Sequence, residues 1–311
     1  MKVTSDIGKI KPAKKSLFLA IGVFDGVHCG HAFLIRKAVR AAKATGGQSV
    51  VMTFYPHPQN VLAPERKLQY LTPLAERLKL ISDLGVDVCI LIKFTKNFSR
   101  LTAQKFIEDY IMRPFHPQKV FVGKNFRFGN KRRGDIAFFK KFGQQFRFQI
   151  DAVASVKIKH RMVSSSLVRQ FIQAGKVELA GRLLGRAVAI FGKVVKGDGR
   201  GKSLGFPTAN IRPLKQIIPL HGVYAAEVVV DGKIFQGMAN IGTRPSFHKQ
   251  KAITIEVHIF HLHRNLYHRD IEIRLIKRIR NERKFSSPKL LISQLHKDKN
   301  TALKLLSRLY L

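Results

Sequence analysis

Apolar runs alternate with amphipathic segments through roughly the first 185 residues. The runs are rich in β-branched and aromatic residues, which predicts strands, and between them apolar residues recur at helical spacing. The predicted strands span residues 17–24, 49–54, 87–94, 119–122 and 148–153. The predicted helices span residues 32–45, 73–84, 102–111, 167–174 and 177–184. This alternation predicts βαβ units on a parallel sheet that binds ligands at the carboxyl ends of its strands.

After Gly185 the pattern changes to strands separated by turn residues. These predicted strands span residues 187–195, 223–230, 233–241, 254–260 and 271–279. Asp231 and Gly232 between two of them indicate a tight hairpin. Ser287 followed by Pro288 indicates the start of a closing helix. We therefore predict two domains: an α/β domain with a Rossmann-like parallel sheet at 1–184, and a small antiparallel β-barrel with a C-terminal helix at 185–311.

The chain is strongly basic: 57 Lys and Arg against 19 Asp and Glu give a formal charge of +38. Such a charge attracts polyanions, through nucleic-acid binding or as a general basic bias on an enzyme with phosphorylated substrates. The basic residues are spread along the chain, without a zinc-finger, RNP-like or helix-turn-helix pattern. We expect weak, salt-sensitive association with nucleic acid rather than sequence recognition.

Two further properties bound the class of protein. Cys29 and Cys89 are the only cysteines, so no disulfide framework is expected. No apolar run approaches the length of a membrane span. We expect a cytoplasmic protein with no membrane partner, and the sequence leaves its oligomeric state open.

The first candidate site is the turn at residues 22–31, where a predicted strand gives way to a predicted helix. His28 and His31 stand three residues apart in this turn. A helix N-terminus offers free N–H groups to an anion, and two imidazoles beside it suit a phosphate on which charge develops. A metal pair or two structural histidines are the alternatives. No nearby Cys, Asp or Glu completes a zinc ligand set at the usual spacings.

The second candidate site is the glycine-rich segment 197–210. It is not a Walker A loop, because Lys196 stands where the first glycine belongs and 207–211 is predicted to be extended. It predicts a flap over a nucleotide, or an ordinary turn and strand. Thr208 and Asn210 share one strand face and offer two neutral oxygens to Mg²⁺.

A carboxylate in an apolar strand is the third candidate. Glu256 lies between Ile255 and Val257. It suits a general base that takes a proton from an alcohol, or a residue that simply faces solvent.

Over nearly its whole length the chain resembles the bifunctional bacterial riboflavin kinase/FAD synthetase family. The first half is similar at the HxGH turn, at a second loop (54–58), at a GxxFxFG segment (122–134) and at SSTxIR (163–169). The second half resembles GRxLGFPTANI at 201–211, followed in the family's order by 222–225, 240–247 and 256–258. Four positions depart from the pattern: Ser166 replaces Thr, Lys202 replaces Arg, Lys124 stands at a commonly acidic place and His268 at a usual glycine.

The resemblance implies two ATP-dependent reactions. In the barrel, riboflavin would be phosphorylated to FMN, with Glu256 as general base and Thr208 and Asn210 on Mg²⁺. In the α/β domain, FMN would be adenylylated to FAD with release of pyrophosphate, and His28 and His31 would stabilise the developing charge. ATP is then a co-substrate, riboflavin and FMN are the other substrates, and no tightly bound prosthetic group is expected.

The resemblance also assigns binding residues. Those for ATP or phosphate are Gly22, Phe24, Asp25, Gly26, His28, His31, Asn125, Ser164, Ser165, Arg169, Gly197, Gly201, Lys202, Gly205 and Pro207. Those for the flavin are Pro56, Pro58, Phe128, Arg280 and Glu282. Phe128 could equally be a core residue, and Arg280 and Glu282 could equally be surface charges. Two alternative functions stay open: only the kinase domain is active, or the chain is a basic nucleic-acid-binding protein.

Overall fold

The computed structural model describes residues 1–7, 16–197, 199–244, 252–262 and 264–308. The chain divides into two compact units, Met1–Ser164 and Ser165–Leu311. Each unit contains its own β-sheet, so each of the two predicted domain folds can be compared with one unit.

The first unit is built on a six-stranded parallel sheet. Its strands are β1 (Lys2–Thr4), β2 (Leu17–Ile21), β3 (Gln48–Tyr55), β4 (Val88–Lys93), β5 (Lys119–Gly123) and β6 (Gln149–Val153). They are hydrogen-bonded in the order β1-β4-β3-β2-β5-β6, and every pair is parallel. The predicted parallel sheet is confirmed. Strand order reverses between β2 and β5, which is where such sheets bind ligands.

Helices and turns complete this unit. They are α1 (Cys29–Ala44), α2 (Pro58–Leu62), a 3₁₀ turn (Pro64–Arg66), α3 (Leu74–Ser82), α4 (Lys96–Ser99), α5 (Ala103–Ile107), a π-helical turn (Glu108–Met112), α6 (Arg113–Phe115), a second 3₁₀ turn (Asn130–Arg132) and α7 (Ile136–Gln145), followed by a small hairpin of β7 (Lys157–Ile158) and β8 (Arg161–Met162). The predicted helix 102–111 is therefore α5 continued by a π-helical turn. The sequence analysis missed β1 and α7.

The core of the first unit lies on both faces of the sheet. Leu17, Leu19 and Ile21 of β2 belong to one buried cluster, whereas Phe18 and Ala20 belong to the other. Because alternate residues of a strand point to opposite faces, a strand buried on both sides reads as one continuous apolar run. This burial fixes β2 at the centre of the sheet, and the residues that follow it form the predicted turn.

The second unit is a closed antiparallel barrel with helices. In chain order it contains α8 (Ser165–Gln173), α9 (Val177–Leu184), β9 (Val188–Val195), α10 (Arg200–Ser203), β10 (Ala209–Pro213), β11 (Gly222–Val230), β12 (Lys233–Arg244), β13 (Ala252–Ile259), β14 (Asp270–Arg280) and α11 (Pro288–Ser307). The strands close in the order β10-β13-β12-β11-β14-β9. The predicted barrel and its closing helix are confirmed.

Local signals in this half also match the structure. Val230 pairs with Lys233 across Asp231 and Gly232, which both have positive φ, as a two-residue hairpin turn requires. Ser287 caps α11, and its Oγ accepts a hydrogen bond from the Leu290 N–H at 3.3 Å. In the part of the chain that the structure describes, no helix combines the length and apolar character needed to cross a membrane.

Candidate active sites in the two units

The predicted histidine pair forms one structural element at the start of α1. Nδ1 of His28 accepts the backbone N–H of His31 at 3.2 Å and so caps the helix. The two imidazole rings stack with centroids 3.6 Å apart, and Phe24 meets the His31 ring edge-on at 5.3 Å. Among the described residues there is no group of three or more His, Cys, Asp or Glu side chains that could hold a metal. The helix cap and the stacked rings fit the anion-binding interpretation.

The electrostatic state of His31 follows from its surroundings. Burial lowers the pKa of His31 well below its usual range, and His28 and Arg77 lower it further. The imidazole is therefore neutral at pH 7. Within the described part of the chain its buried Nδ1 has no hydrogen-bond partner. A neutral ring next to the free N–H groups of α1 would serve a phosphate as a hydrogen-bond donor.

Backbone geometry explains the composition of the turn. Phe24, Gly26 and Val27 all have positive φ (52°, 83° and 39°). Positive φ in a β-branched residue is unusual, and strain of this kind amounts to about 1–3 kcal/mol and is concentrated at functional sites. A Cβ at Gly22 would lie 2.7 Å from the Phe24 ring. These predicted residues therefore shape the turn through their backbone and packing.

Arg77 of α3 organises the turn, and the sequence analysis missed it. Its side chain is 1% exposed. Its Nη1 donates to the carbonyl of Val23 at 3.0 Å and its Nη2 to that of Phe54 at 3.3 Å. Arg77 thus ties the histidine turn to the predicted second loop. The signal was present, because an arginine stood among the apolar positions of a predicted amphipathic helix.

Asp25 faces inward, beside this arginine. Its side chain is 1% exposed, and both carboxylate oxygens accept the Leu71 N–H at 3.1 Å. Burial lowers the pKa of the Arg77 guanidinium, and the charge of Asp25 opposes that shift. Asp25 therefore binds the backbone at Leu71 and balances the charge of the buried Arg77. Its contact with ATP stays a prediction.

The other predicted residues of this unit lie near the same edge of the sheet, with one exception. Pro56 and Pro58 follow β3, and Asn125 follows β5, where it lines a shallow cavity with basic side chains such as Lys124. Phe128 is 7% exposed and packs in the core, with its ring 4.9 Å from that of Phe139. Phe128 is thus a core residue, and its flavin contact stays a prediction.

The predicted phosphate-binding serines fall at the boundary between the units. Ser164 is the last residue of the first unit, and Ser165 is the first of the second. Ser165 begins α8, and Arg169 follows one turn later. The side chains of Ser165 and Arg169 therefore lie in the first two turns of α8.

In the second unit, six predicted residues line one cavity of about 370 Å³. They are Gly201, Thr208, Asn210, Glu256, Arg280 and Glu282. The side chains come from the start of β10, from β13 and from the end of β14, so the barrel brings together segments far apart in sequence. The metal, base and flavin predictions thus fall on one site.

Strand register places Glu256 between two amides. Asn210 of β10 is its partner on one side, and Asn240 of β12 is its partner on the other. Directly paired residues share a face of the sheet, and all three line the cavity. The sequence analysis missed Asn240 as a site residue, although a lone asparagine in a predicted strand was a signal.

Glycines of the flap pack against the predicted metal ligands. A Cβ at Gly197 would collide with the Asn210 amide, and one at Gly201 would lie 3.0 Å from Thr208 Oγ1. Gly205 has a φ of 78°, which suits a glycine. The predicted contact of Lys202 lies outside the described side chains. Because the glycines leave room for both oxygens beside the cavity, Thr208 and Asn210 fit an Mg²⁺ site.

His258 is a further residue that the sequence analysis left out of the site. Its side chain is 8% exposed and its Nδ1 donates to the carbonyl of Pro207 at 2.8 Å. This bond fixes the backbone directly before Thr208. Thr208 and Pro207 also line a second cavity of about 280 Å³, together with Val257 and Tyr267. Two cavities therefore meet at Thr208.

A helix N-terminus flanked by two histidines in one unit and an oxygen-lined cavity in the other fit a two-domain transferase of phosphorus-containing groups. A family model for FAD synthetase matches residues 10–167, and one for riboflavin kinase matches residues 184–306. The chain belongs to the bifunctional riboflavin kinase/FMN adenylyltransferase family, which implies a nucleotide co-substrate.

Individual relatives agree with this assignment. The bifunctional riboflavin kinase/FMN adenylyltransferase of Buchnera aphidicola subsp. Schizaphis graminum is 37% identical over 96% of each chain. That of Listeria monocytogenes is 39% identical over 90% of this chain and 89% of its own. A crystal structure from Streptococcus pneumoniae, described as a macrolide-efflux protein, is 30% identical with a TM-score of 0.88 and covers 96% of this chain and 97% of its own. From that structure only the fold is carried over.

One departure from the family pattern has a structural explanation. His268 stands where the pattern usually has glycine, and its φ is 66°. Its N–H donates to the carbonyl of Val194 at 3.0 Å. The left-handed backbone that favours glycine is therefore retained here by a histidine.

Proposed function

We propose that this chain makes FAD from riboflavin in two steps, one in each domain, with the domain boundary at residues 184/185. The carboxyl-terminal domain phosphorylates riboflavin to FMN, and the amino-terminal domain adenylylates FMN. The observation that carries the proposal is that Thr208, Asn210 and Glu256 line a single cavity. An alcohol substrate in that cavity would meet a base and two oxygen ligands at once.

In the kinase step, the Glu256 carboxylate takes the proton of riboflavin's terminal ribityl hydroxyl. The freed oxygen attacks the γ-phosphorus of ATP, and ADP leaves. Thr208 and Asn210 would hold Mg²⁺, which would neutralise phosphate charge when bound. Thr208 borders both cavities, which supports a flavin in the larger one and the nucleotide in the smaller one. The acceptor oxygen and the transferred phosphate then meet beside Thr208.

In the adenylyl step, an oxygen of the FMN phosphate attacks the α-phosphorus of a second ATP, and pyrophosphate leaves. No protein nucleophile is needed. The neutral His31 ring and the N-terminus of α1 stabilise the phosphate charge by hydrogen bonds, and His28 holds His31 by stacking. We propose phosphate contacts for Ser164, Ser165 and Arg169.

The proposal predicts two products from one incubation. Purified protein with riboflavin, ATP and Mg²⁺ should form FMN and then FAD, resolved by chromatography. Chelation of Mg²⁺ should stop FMN formation. FMN supplied directly should be converted to FAD. The absence of both products would overturn the proposal, and FMN alone would support the alternative in which only the kinase domain is active.

Two properties beyond the reaction are also proposed. Cys29 and Cys89, the two cysteines of the sequence, form no disulfide, which supports a reducing, cytoplasmic location. The formal charge of +38 supports weak association with nucleic acid. We expect this binding to ignore sequence and to disappear at moderate salt in a filter-binding titration, whereas retained sequence discrimination would indicate specific recognition.

A further inference from the structure

A buried carboxylate on α11 holds an arginine of the barrel cavity. Asp298 is 1% exposed. Nε of Arg280 donates to its two oxygens at 3.0 and 2.9 Å, and Nη2 of Arg280 donates to Oδ2 at 2.8 Å. Nε2 of Gln294 donates to Oδ1 at 2.7 Å. The bidentate geometry fixes the plane of the guanidinium as well as its position.

The same network fixes an aromatic ring. The guanidinium carbons of Arg280 and Arg283 lie 5.7 and 4.7 Å from the centre of the Phe285 ring. Arg283 also donates to Oε1 of Gln294. Both guanidinium groups therefore contact the Phe285 ring. Each is also hydrogen-bonded to a residue of α11, Arg280 to Asp298 and Arg283 to Gln294. The segment that follows β14 has no regular secondary structure, so these side-chain contacts determine its shape.

The residues held in this way form part of the cavity. Its described lining includes Arg280, Arg283 and Phe285 but neither Asp298 nor Gln294. Asp298 thus acts on the cavity through Arg280. It also supplies the charge that balances a guanidinium whose side chain is only 18% exposed.

We propose that Asp298 is a positioning residue for riboflavin. It holds Arg280, and with Gln294 it holds the Phe285 ring, so that a flat wall is ready for a planar ring system. This inference rests on the proposed kinase function. Without the carboxylate, Arg280 carries an unbalanced charge and turns towards water, and the wall loses its fixed shape. The loss falls on the binding of riboflavin rather than on the phosphoryl transfer at Thr208 and Glu256.

The test compares Asp298→Asn in the full chain with Asp270→Asn. Asp270 is a matched carboxylate of the same barrel, with a side chain that is 87% exposed and 3.9 Å from Lys193. We expect Asp298→Asn to raise the KM for riboflavin about tenfold, with kcat and the KM for ATP nearly unchanged. Quenching of riboflavin fluorescence should weaken by the same factor. Asp270→Asn should match the parent chain, and all variants should still convert FMN to FAD.

A purely structural role gives a different pattern. If Asp298→Asn only unfolds part of the sample, kcat falls at unchanged KM, and the positioning role is wrong. Should the variant not fold, Gln294→Ala removes the bonds to Asp298 and Arg283 and is expected to raise the KM for riboflavin several-fold; an unchanged KM would then overturn the inference. A parent chain that does not phosphorylate riboflavin would instead overturn the proposed function itself.

Discussion

A Glu256→Gln variant is expected to lose riboflavin phosphorylation by a factor of about 10² to 10⁴. Glutamine has nearly the same shape, so the pairing of this strand with Asn210 and Asn240 should persist. It cannot accept the proton of an alcohol, and that is the property the kinase step requires. Conversion of FMN to FAD should continue at the rate of the parent chain, because it needs no residue of this cavity.

The measurement follows FMN and FAD formation separately, starting from riboflavin or from FMN. Glu272→Gln is the matched control, since Glu272 lies on β14 of the same barrel and pairs with Arg274 at 2.8 Å. That control should keep both activities. If Glu256→Gln lost both reactions while its melting temperature stayed unchanged, the division of labour between the domains would be wrong.

An Arg77→Met variant is expected to lose FAD formation and to destabilise the amino-terminal unit by about 3–5 kcal/mol, the usual size of the effect when a buried charge is left uncompensated. The substitution removes the donors to Val23 and Phe54 and leaves the Asp25 carboxylate buried without its balancing cation. Phosphorylation of riboflavin should persist, because the barrel is a separate compact unit.

Urea denaturation and the two flavin assays check this result. Arg66→Met is the control, since Arg66 has a side chain that is 80% exposed and lies 3.9 Å from Glu65. It should change the free energy of unfolding by less than about 0.5 kcal/mol. An Arg77→Met protein with an unchanged first unfolding transition and full FAD formation would show that the buried arginine does not organise the turn.

Most of the fold could be predicted from the sequence because burial leaves a regular pattern. β2 is buried on both faces and so reads as an uninterrupted apolar run, and the hairpin at Asp231 and Gly232 has a turn signal of its own. Other elements carry too little local signal. β1 has three residues and is a strand only because it pairs with β4. α7 contains three phenylalanines and ends at a fourth, Phe146, and their spacing is compatible with a strand as well as with a helix.

Some residues of the candidate sites could likewise be predicted from the sequence, and others could not. His28, His31 and Thr208 stand in segments whose local order already indicates phosphate chemistry. Asn240 can be identified as a site residue only from the strand register that pairs it with Glu256. Asp298 stands 18 residues from the arginine that it holds, and nothing local distinguishes it from the other polar residues of a surface helix. Contacts between residues that are far apart in sequence could therefore be identified only from the structure.

The cap of α1 has a consequence for the proton of His28. Because Nδ1 accepts the backbone N–H of His31, that nitrogen carries its lone pair and the neutral ring carries its proton on Nε2. The start of a helix thus selects one tautomer of a predicted catalytic residue. Nε2 is then a donor, as contact with an anionic substrate would require, and protonation of Nδ1 would break the cap. The tautomer and the first turn of α1 are therefore maintained by the same hydrogen bond.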